Sequence, residues 1–171
     1  HVRSRRQRQM CIRDRLCVIT EVTVKILKKP DTVKAILLGF PTIEDAGNSV
    51  MEIISNGIIP AGMEIMDKVL LEATNNFSKA GYPLEAEAML ITELDGTKSE
   101  VDELIKKVAE ICKKNKCTSV KISKSDEERA KFWSGRKAAF PACGEMAPDY
   151  YCVDGTIPVS YTHLRAHETD S

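Results

Sequence analysis

Between Phe132 and Pro158 the chain reads FWSGRKAAFPACGEMAPDYYCVDGTIP, gathering most of its aromatic residues and its one tryptophan around Arg136 and Lys137. From Leu16 to Pro158 arginine occurs only at Arg129 and Arg136, against sixteen lysines. A planar guanidinium fork in lysine-rich surroundings points to bidentate recognition of a carboxylate. A surface salt bridge explains the same residue, and composition leaves both readings open. Arg136 lies four residues after Phe132 and three after Trp133. On a helix the three share one side, so the guanidinium leans over whatever the aromatic pair packs against. Held there, it is costly to desolvate unless it meets an anion.

Other chemistries lack their residues. No histidine stands between Leu16 and Pro158, which removes Ser-His, Cys-His and histidine-metal arrangements from that stretch. Neither GxGxxG nor GxxxxGK occurs, so no dinucleotide or nucleotide loop is encoded. Glu127 and Glu128 sit where a helix begins and read as solvated first-turn carboxylates. Lys113, Lys114 and Lys116 fall at a helix end, where the dipole accounts for them. The cysteines Cys11, Cys17, Cys112, Cys117, Cys143 and Cys152 form no CxxC pair and offer no zinc spacing. They read as reduced thiols, which points to a cytoplasmic protein. No signal-peptide pattern and no apolar run of transmembrane length is present.

A net charge of zero over 171 residues makes no general case for nucleic acid or a membrane surface. It conceals a discontinuity, because six of the nine arginines crowd into residues 1–15. Leu16 to Pro158 alone carries 18 basic and 22 acidic residues. RRQRQMCIRDR and VSYTHLRAHETDS resemble translated sequencing-adapter read-through, so residues 1–15 and 159–171 are expected to be foreign to the fold.

The elements that must position Arg136 follow from periodicity and end signals. Val18 to Leu27 (VITEVTVKIL) alternates like a strand, and Val33 to Phe40 reads as a mostly apolar one. Thr42 caps a helix with Glu44 and Asp45 in its first turn, ending at Asn56-Gly57. Ile58 to Ile65 is a strand with Pro60 near its start, hence an edge or irregular one. A helix from about Asp67 to Ala80 ends at Gly81, and Pro83 prevents its restart. Ala86 to Leu94 is a central strand turning at Asp95-Gly96. Ser99 to Lys114 is an amphipathic helix, and Thr118 to Ser123 a short strand. Ser125 opens the SDEE capping box of a helix running to about Phe140, beyond which the proline- and glycine-bearing segment reads as largely irregular. Leaving aside the first strand, this order predicts an α+β ferredoxin-like antiparallel sheet with helices on one face.

WSGRKAAFPACGEMAPDYYCVDGTIP resembles the signature of FAD-linked oxidases of the glycolate oxidase D-subunit and D-lactate dehydrogenase branch. AGMEIMD at 61–67 and VITEVTVKIL at 18–27 match the same pattern. The resemblance implies that residues 16–29 end the FAD-binding domain as an orphan strand, and that residues 30–158 are part of the C-terminal cap. It implies that Arg136 holds the substrate carboxylate in a WxxR pattern. It also implies that backbone groups of Val18, Ile19 and Thr20 pass the flavin, and that Phe140 and Tyr151 lie near the substrate. The implied reaction is oxidation of a 2-hydroxy acid to a 2-oxo acid with hydride transfer to FAD. An iron–sulfur subunit, an electron-transfer flavoprotein or oxygen would receive the electrons. The family's GHxGDGNxH-like segment, whose histidines hold a divalent metal and act as base, has no counterpart here. VSYTHLRAHET does not match its spacing. On this reading the chain is a fragment, inactive by itself.

Two rival readings remain at this level. A stand-alone ferredoxin-like regulatory or interaction domain would suit the fold but leaves VITEVTVKIL unexplained. A basic-armed nucleic-acid binder rests wholly on residues 1–15.

Overall fold

Two apolar stripes of opposite parity run along the strands of this protein, so both faces of its sheet are buried. The structure, a computed structural model, describes residues 20–26, 28–147 and 149. Strands β1 (Thr32–Phe40), β2 (Gly62–Asp67), β3 (Ala88–Gly96) and β4 (Ser119–Ile122) form an antiparallel sheet in the order β2-β3-β1-β4. Helix α1 (Ile43–Ser55) links β1 to β2, and α3 (Lys98–Lys114) links β3 to β4. These six elements give the expected split βαβ arrangement of a ferredoxin-like domain. Helix α2 (Lys68–Ser78) is inserted between β2 and β3, while α4 (Asp126–Lys137) and α5 (Ala139–Met146) follow β4.

The register assigns each side chain to a face. Ile36, Leu38, Phe40, Leu90 and Leu94 are buried beneath Ala46 and Ile53 of α1 and Val101, Ile105 and Val108 of α3. This is the expected helical layer. The opposite face is covered as well. Ala35, Leu37, Met66, Met89 and Ile91 pack with Leu71 of α2, with Tyr82, and with Phe132 of α4. Phe132 is 1% exposed, and the Lys121 ammonium lies 5.4 Å from its ring centroid.

Local signals set most boundaries. The Thr42 hydroxyl accepts from the Asp45 N–H at 3.0 Å, and Gly57 takes the left-handed conformation (φ +75°) after α1. Lys116 pairs with Asp45 at 3.0 Å, tying the end of α3 to the start of α1. The Thr42 hydrogen bond first, and then Lys116, hold the Asp45 carboxyl below the usual range. Helix α3 is capped by Thr97, whose N–H donates to Glu100 while its hydroxyl accepts from the Glu100 N–H. Its start therefore lies earlier than Ser99.

Helices cover both faces of the sheet rather than one, β2 begins at Gly62 rather than Ile58, and two further expectations are corrected here. Residues 20–26 adopt no regular structure, and Val22, Val24 and Ile26 are 71%, 68% and 85% exposed. A strand persists only where a neighbour satisfies its N–H and C=O groups, and no strand of the sheet pairs with this segment. The helix opened by Ser125 stops at Lys137, and what reads as irregular beyond it contains α5. Pro141 is the physical reason. Its ring collides with the preceding turn of a continuous helix but is accommodated in the first turn of a new one beginning at Ala139.

Candidate functional site

Helix α4 lies across the buried second face, and its placement determines where Arg136 goes. The Ser125 hydroxyl accepts from the Glu128 N–H at 3.2 Å, and Glu128 in turn accepts from the Lys124 N–H at 2.9 Å. Three carboxylates in the first turn and Arg136 and Lys137 in the last oppose the helix dipole at both ends. Glu127 and Glu128 thus serve the helix start. The Ser125 hydrogen bond holds Glu127 below its ordinary pKa.

Glu93 of β3 anchors the middle of α4. Its Oε2 accepts from Trp133 Nε1 at 2.7 Å and from Arg129 Nη1 at 3.2 Å. Charge-assisted bonds of this kind are roughly twice as strong as neutral ones. The Glu93 carboxylate raises the pKa of the Arg129 guanidinium further. Gly62, paired with Glu93 across the β2–β3 ladder, faces the Trp133 ring: a Cβ there would stand 3.4 Å from it.

One helical turn beyond Trp133 stands Arg136. Its Nε is 3.2 Å from Glu64 Oε2, and its Nη2 is 3.5 Å from Glu64 Oε1. The Arg136 side chain is 33% exposed and that of Glu64 39%, so the pair sits at the border of core and solvent. The anion that the sequence demanded for this guanidinium is therefore an internal carboxylate, and a third of the side chain remains open to solvent.

Tyr82 closes the underside. Its hydroxyl donates to the Phe132 carbonyl at 2.5 Å, in contact with α4 where Gly135 leaves room. Burial pushes its pKa up to about 12. Among the cysteines, burial pushes Cys112 up to about 12 and raises Cys117, so neither is an activated nucleophile.

The remaining predicted positions are not gathered at this point. Phe140 stands four residues after Arg136, beyond the break at Ala138, on α5 and 53% exposed. Thr20 is exposed and outside the sheet. Val18, Ile19 and Tyr151 lie outside the described residues. Sequence reasoning overlooked Glu64, Glu93, Tyr82 and Gly135. AGMEIMD and AEAMLITEL each contained an available signal, a charged residue at an inward position of an apolar strand.

An FAD pyrophosphate is received by a glycine-rich turn leading into a helix N-terminus. No two glycines among the described residues stand in a GxG spacing, the spacing of a dinucleotide-binding turn. Among the described residues no cluster of three or more His, Cys, Asp or Glu could hold a metal ion. Among them, too, no helix is long and apolar enough to cross a membrane.

The glycolate oxidase subunit GlcD of Escherichia coli is 50% identical over 143 residues, which are 84% of this chain and 29% of that protein. The GlcD subunit of Bacillus subtilis is 34% identical over 145 residues, 85% of this chain and 31% of its own length. The chain thus spans under a third of these relatives. Among solved structures, an alkyldihydroxyacetonephosphate synthase superposes with a TM-score of 0.50 at 18% identity, over 70% of this chain and 25% of that one, a likeness of fold. Residues 29–166 match the family described as FAD linked oxidases, C-terminal domain. The chain belongs to that family of FAD-linked oxidases.

Proposed function

We propose that this chain is the substrate-side cap portion of an FAD-dependent 2-hydroxyacid dehydrogenase or oxidase of the glycolate or D-lactate type. The observation that carries the reading is Arg136, its guanidinium held at the rim of the sheet by Glu64 and its side chain still one-third exposed. It lies within the run of residues that resembles the family signature. Arg136 binds the carboxylate of a small 2-hydroxy acid through a second edge of its fork. Fixing that carboxylate restricts the orientation of the substrate C2, and such restriction supplies a large share of a rate enhancement. FAD, bound chiefly by parts of the protein beyond these residues, is the hydride acceptor. Phe140 and Tyr151 border the substrate, and Val18, Ile19 and Thr20 pass the flavin. Residues 16–29 end the FAD domain and residues 30–158 form the cap; residues 1–15 and 159–171 are foreign to both on this reading, although the family match takes in residues 159–166. The Escherichia coli relative is a glycolate oxidase subunit, which supports a partner protein, of iron–sulfur or electron-transfer flavoprotein type, for this one. The cysteine pattern, without a CxxC pair, supports a cytoplasmic location.

Grafting tests the reading. Residues 29–147 of this chain, placed in the matching part of the Escherichia coli subunit, should retain glycolate- or D-lactate-dependent dye reduction. Within the graft, Arg136→Lys keeps the charge and loses the fork, and should cost about 2–3 kcal/mol in kcat/KM. Arg136→Ala should cost more, with flavin content unchanged in both. A near-unchanged kcat/KM for Arg136→Ala would leave the salt bridge to Glu64 as the whole role of this residue.

A further inference from the structure

The two carboxylates that meet α4 differ in what they grip. Glu93 takes the indole of Trp133 and the end of Arg129, and its own side chain is only 18% exposed. It fixes the helix. Glu64 lies two residues along β2 from Gly62, the cross-strand partner of Glu93, and so on the same face of the sheet. Its two oxygens address Nε and Nη2 of Arg136, the side edge of the guanidinium. A guanidinium offers its five N–H donors along two usable edges. Glu64 engages one, and the Nη1/Nη2 edge is the one it does not engage.

We propose that Glu64 is the positioning residue of Arg136: it holds the side edge of the guanidinium and thereby presents the end edge to an incoming carboxylate. The inference rests on the reading of Arg136 as a carboxylate binder. Three observations support a positioning role over a competing one. Glu64 sits on a strand rather than a loop, paired through its backbone with Ile91, whose side chain is fully buried. Glu93 fixes the helix one turn before Arg136, so the two ends of the Arg136–Glu64 pair belong to elements already tied together. The pair is formed side-on, which leaves two parallel donors facing the same direction for a second carboxylate. A long flexible side chain loses rotamer freedom on binding, and holding it in advance removes that cost from the ligand.

The test uses the whole chain, isotope-labelled, with two readouts from NMR. The first is the heteronuclear NOE of Arg136 Nε–Hε, which reports order without any ligand. The second is titration with glycolate followed at the Arg136 side chain. In the unmodified protein Arg136 Nε should be as ordered as Arg129 Nε. Glu64→Gln should lower the Arg136 value toward that of a free surface side chain, leave Arg129 unchanged, and weaken glycolate binding at least fivefold. Glu93→Gln should instead loosen Arg129 and shift the Trp133 indole signal. Unchanged Arg136 order in Glu64→Gln, or glycolate affinity that is unchanged or improved, would overturn the proposal. Loss of Arg136 order in Glu64→Gln with no glycolate response in the unmodified protein would refute Arg136 as a carboxylate binder, while Glu64's hold on it would stand. Circular dichroism of each variant excludes unfolding as the cause.

Discussion

Replacing Gly135 by alanine isolates the contact on which the seating of α4 depends. In most helix interiors this exchange stabilises, because alanine is favoured over glycine by about 1 kcal/mol. At position 135 the new Cβ would stand 2.3 Å from the Tyr82 hydroxyl oxygen and 2.5 and 2.6 Å from two ring carbons. These atoms are not the free end of a flexible chain, since Tyr82 is 5% exposed and its hydroxyl is bonded to the Phe132 carbonyl. Either the ring or α4 must move. Overpacking of a filled core costs about 1–3 kcal/mol, and loss of the Tyr82–Phe132 hydrogen bond adds about 0.5–1.5 kcal/mol. Set against the helix-propensity gain, the net is a destabilisation of about 1–3 kcal/mol. Gly47 is the control, for it lies within α1 with nothing within 4 Å of its would-be Cβ. Gly47→Ala should stabilise by about 0.5–1 kcal/mol. Urea unfolding followed by far-ultraviolet circular dichroism reads both. In a Tyr82→Ala background Gly135→Ala should lose most of its cost, because the colliding ring is gone. If Gly135→Ala is as stable as the unmodified chain, the packing of Tyr82 against α4 described above is wrong.

Two other expectations follow from buried polar groups. The Thr92 hydroxyl is buried in β3 without a hydrogen-bond partner among the described residues, and a stranded group of this kind costs about 1–3 kcal/mol. Thr92→Val should raise the urea midpoint, and a fall would mean that the hydroxyl is satisfied. Tyr82 and Cys112 both titrate late, each pushed up to about 12 by burial from ordinary values of 10.0 and 9.0. Between pH 9 and 12 the unfolded chain therefore holds fewer protons than the folded one, and stability must fall as pH rises. The tyrosine alone contributes on the order of 2–3 kcal/mol. Denaturant titrations at pH 8 and 11 check this, and Tyr82→Phe should flatten the alkaline decline.

What the sequence determined by itself is the part of the fold governed by short-range rules. Thr42 and Ser125 announced helix starts because an N-cap needs only its own side chain and an N–H three residues on. Asn56-Gly57 announced an end because a left-handed residue after a helix is met cheaply by glycine. Alternation and order then left the ferredoxin-like arrangement as the solution, and Pro60 marked β2 as an edge. The alternation in VITEVTVKIL looked the same, yet residues 20–26 are not a strand, since pairing depends on a neighbour that no local pattern supplies. The candidate site divides along the same line. Arg136 was legible as an arginine out of keeping with its lysine-rich surroundings, and its helical side was legible from its spacing to Trp133. Its partner was not. Glu64 is 72 residues away in sequence, and Glu93 and Tyr82 are 40 and 50 residues from the α4 groups they bind. Only the β2–β3 register, which puts Gly62 opposite Glu93 and Glu64 two residues on, brings those carboxylates beneath one helix. That register is set by burying both faces of the sheet at once, a condition on the whole chain that no short window of residues contains.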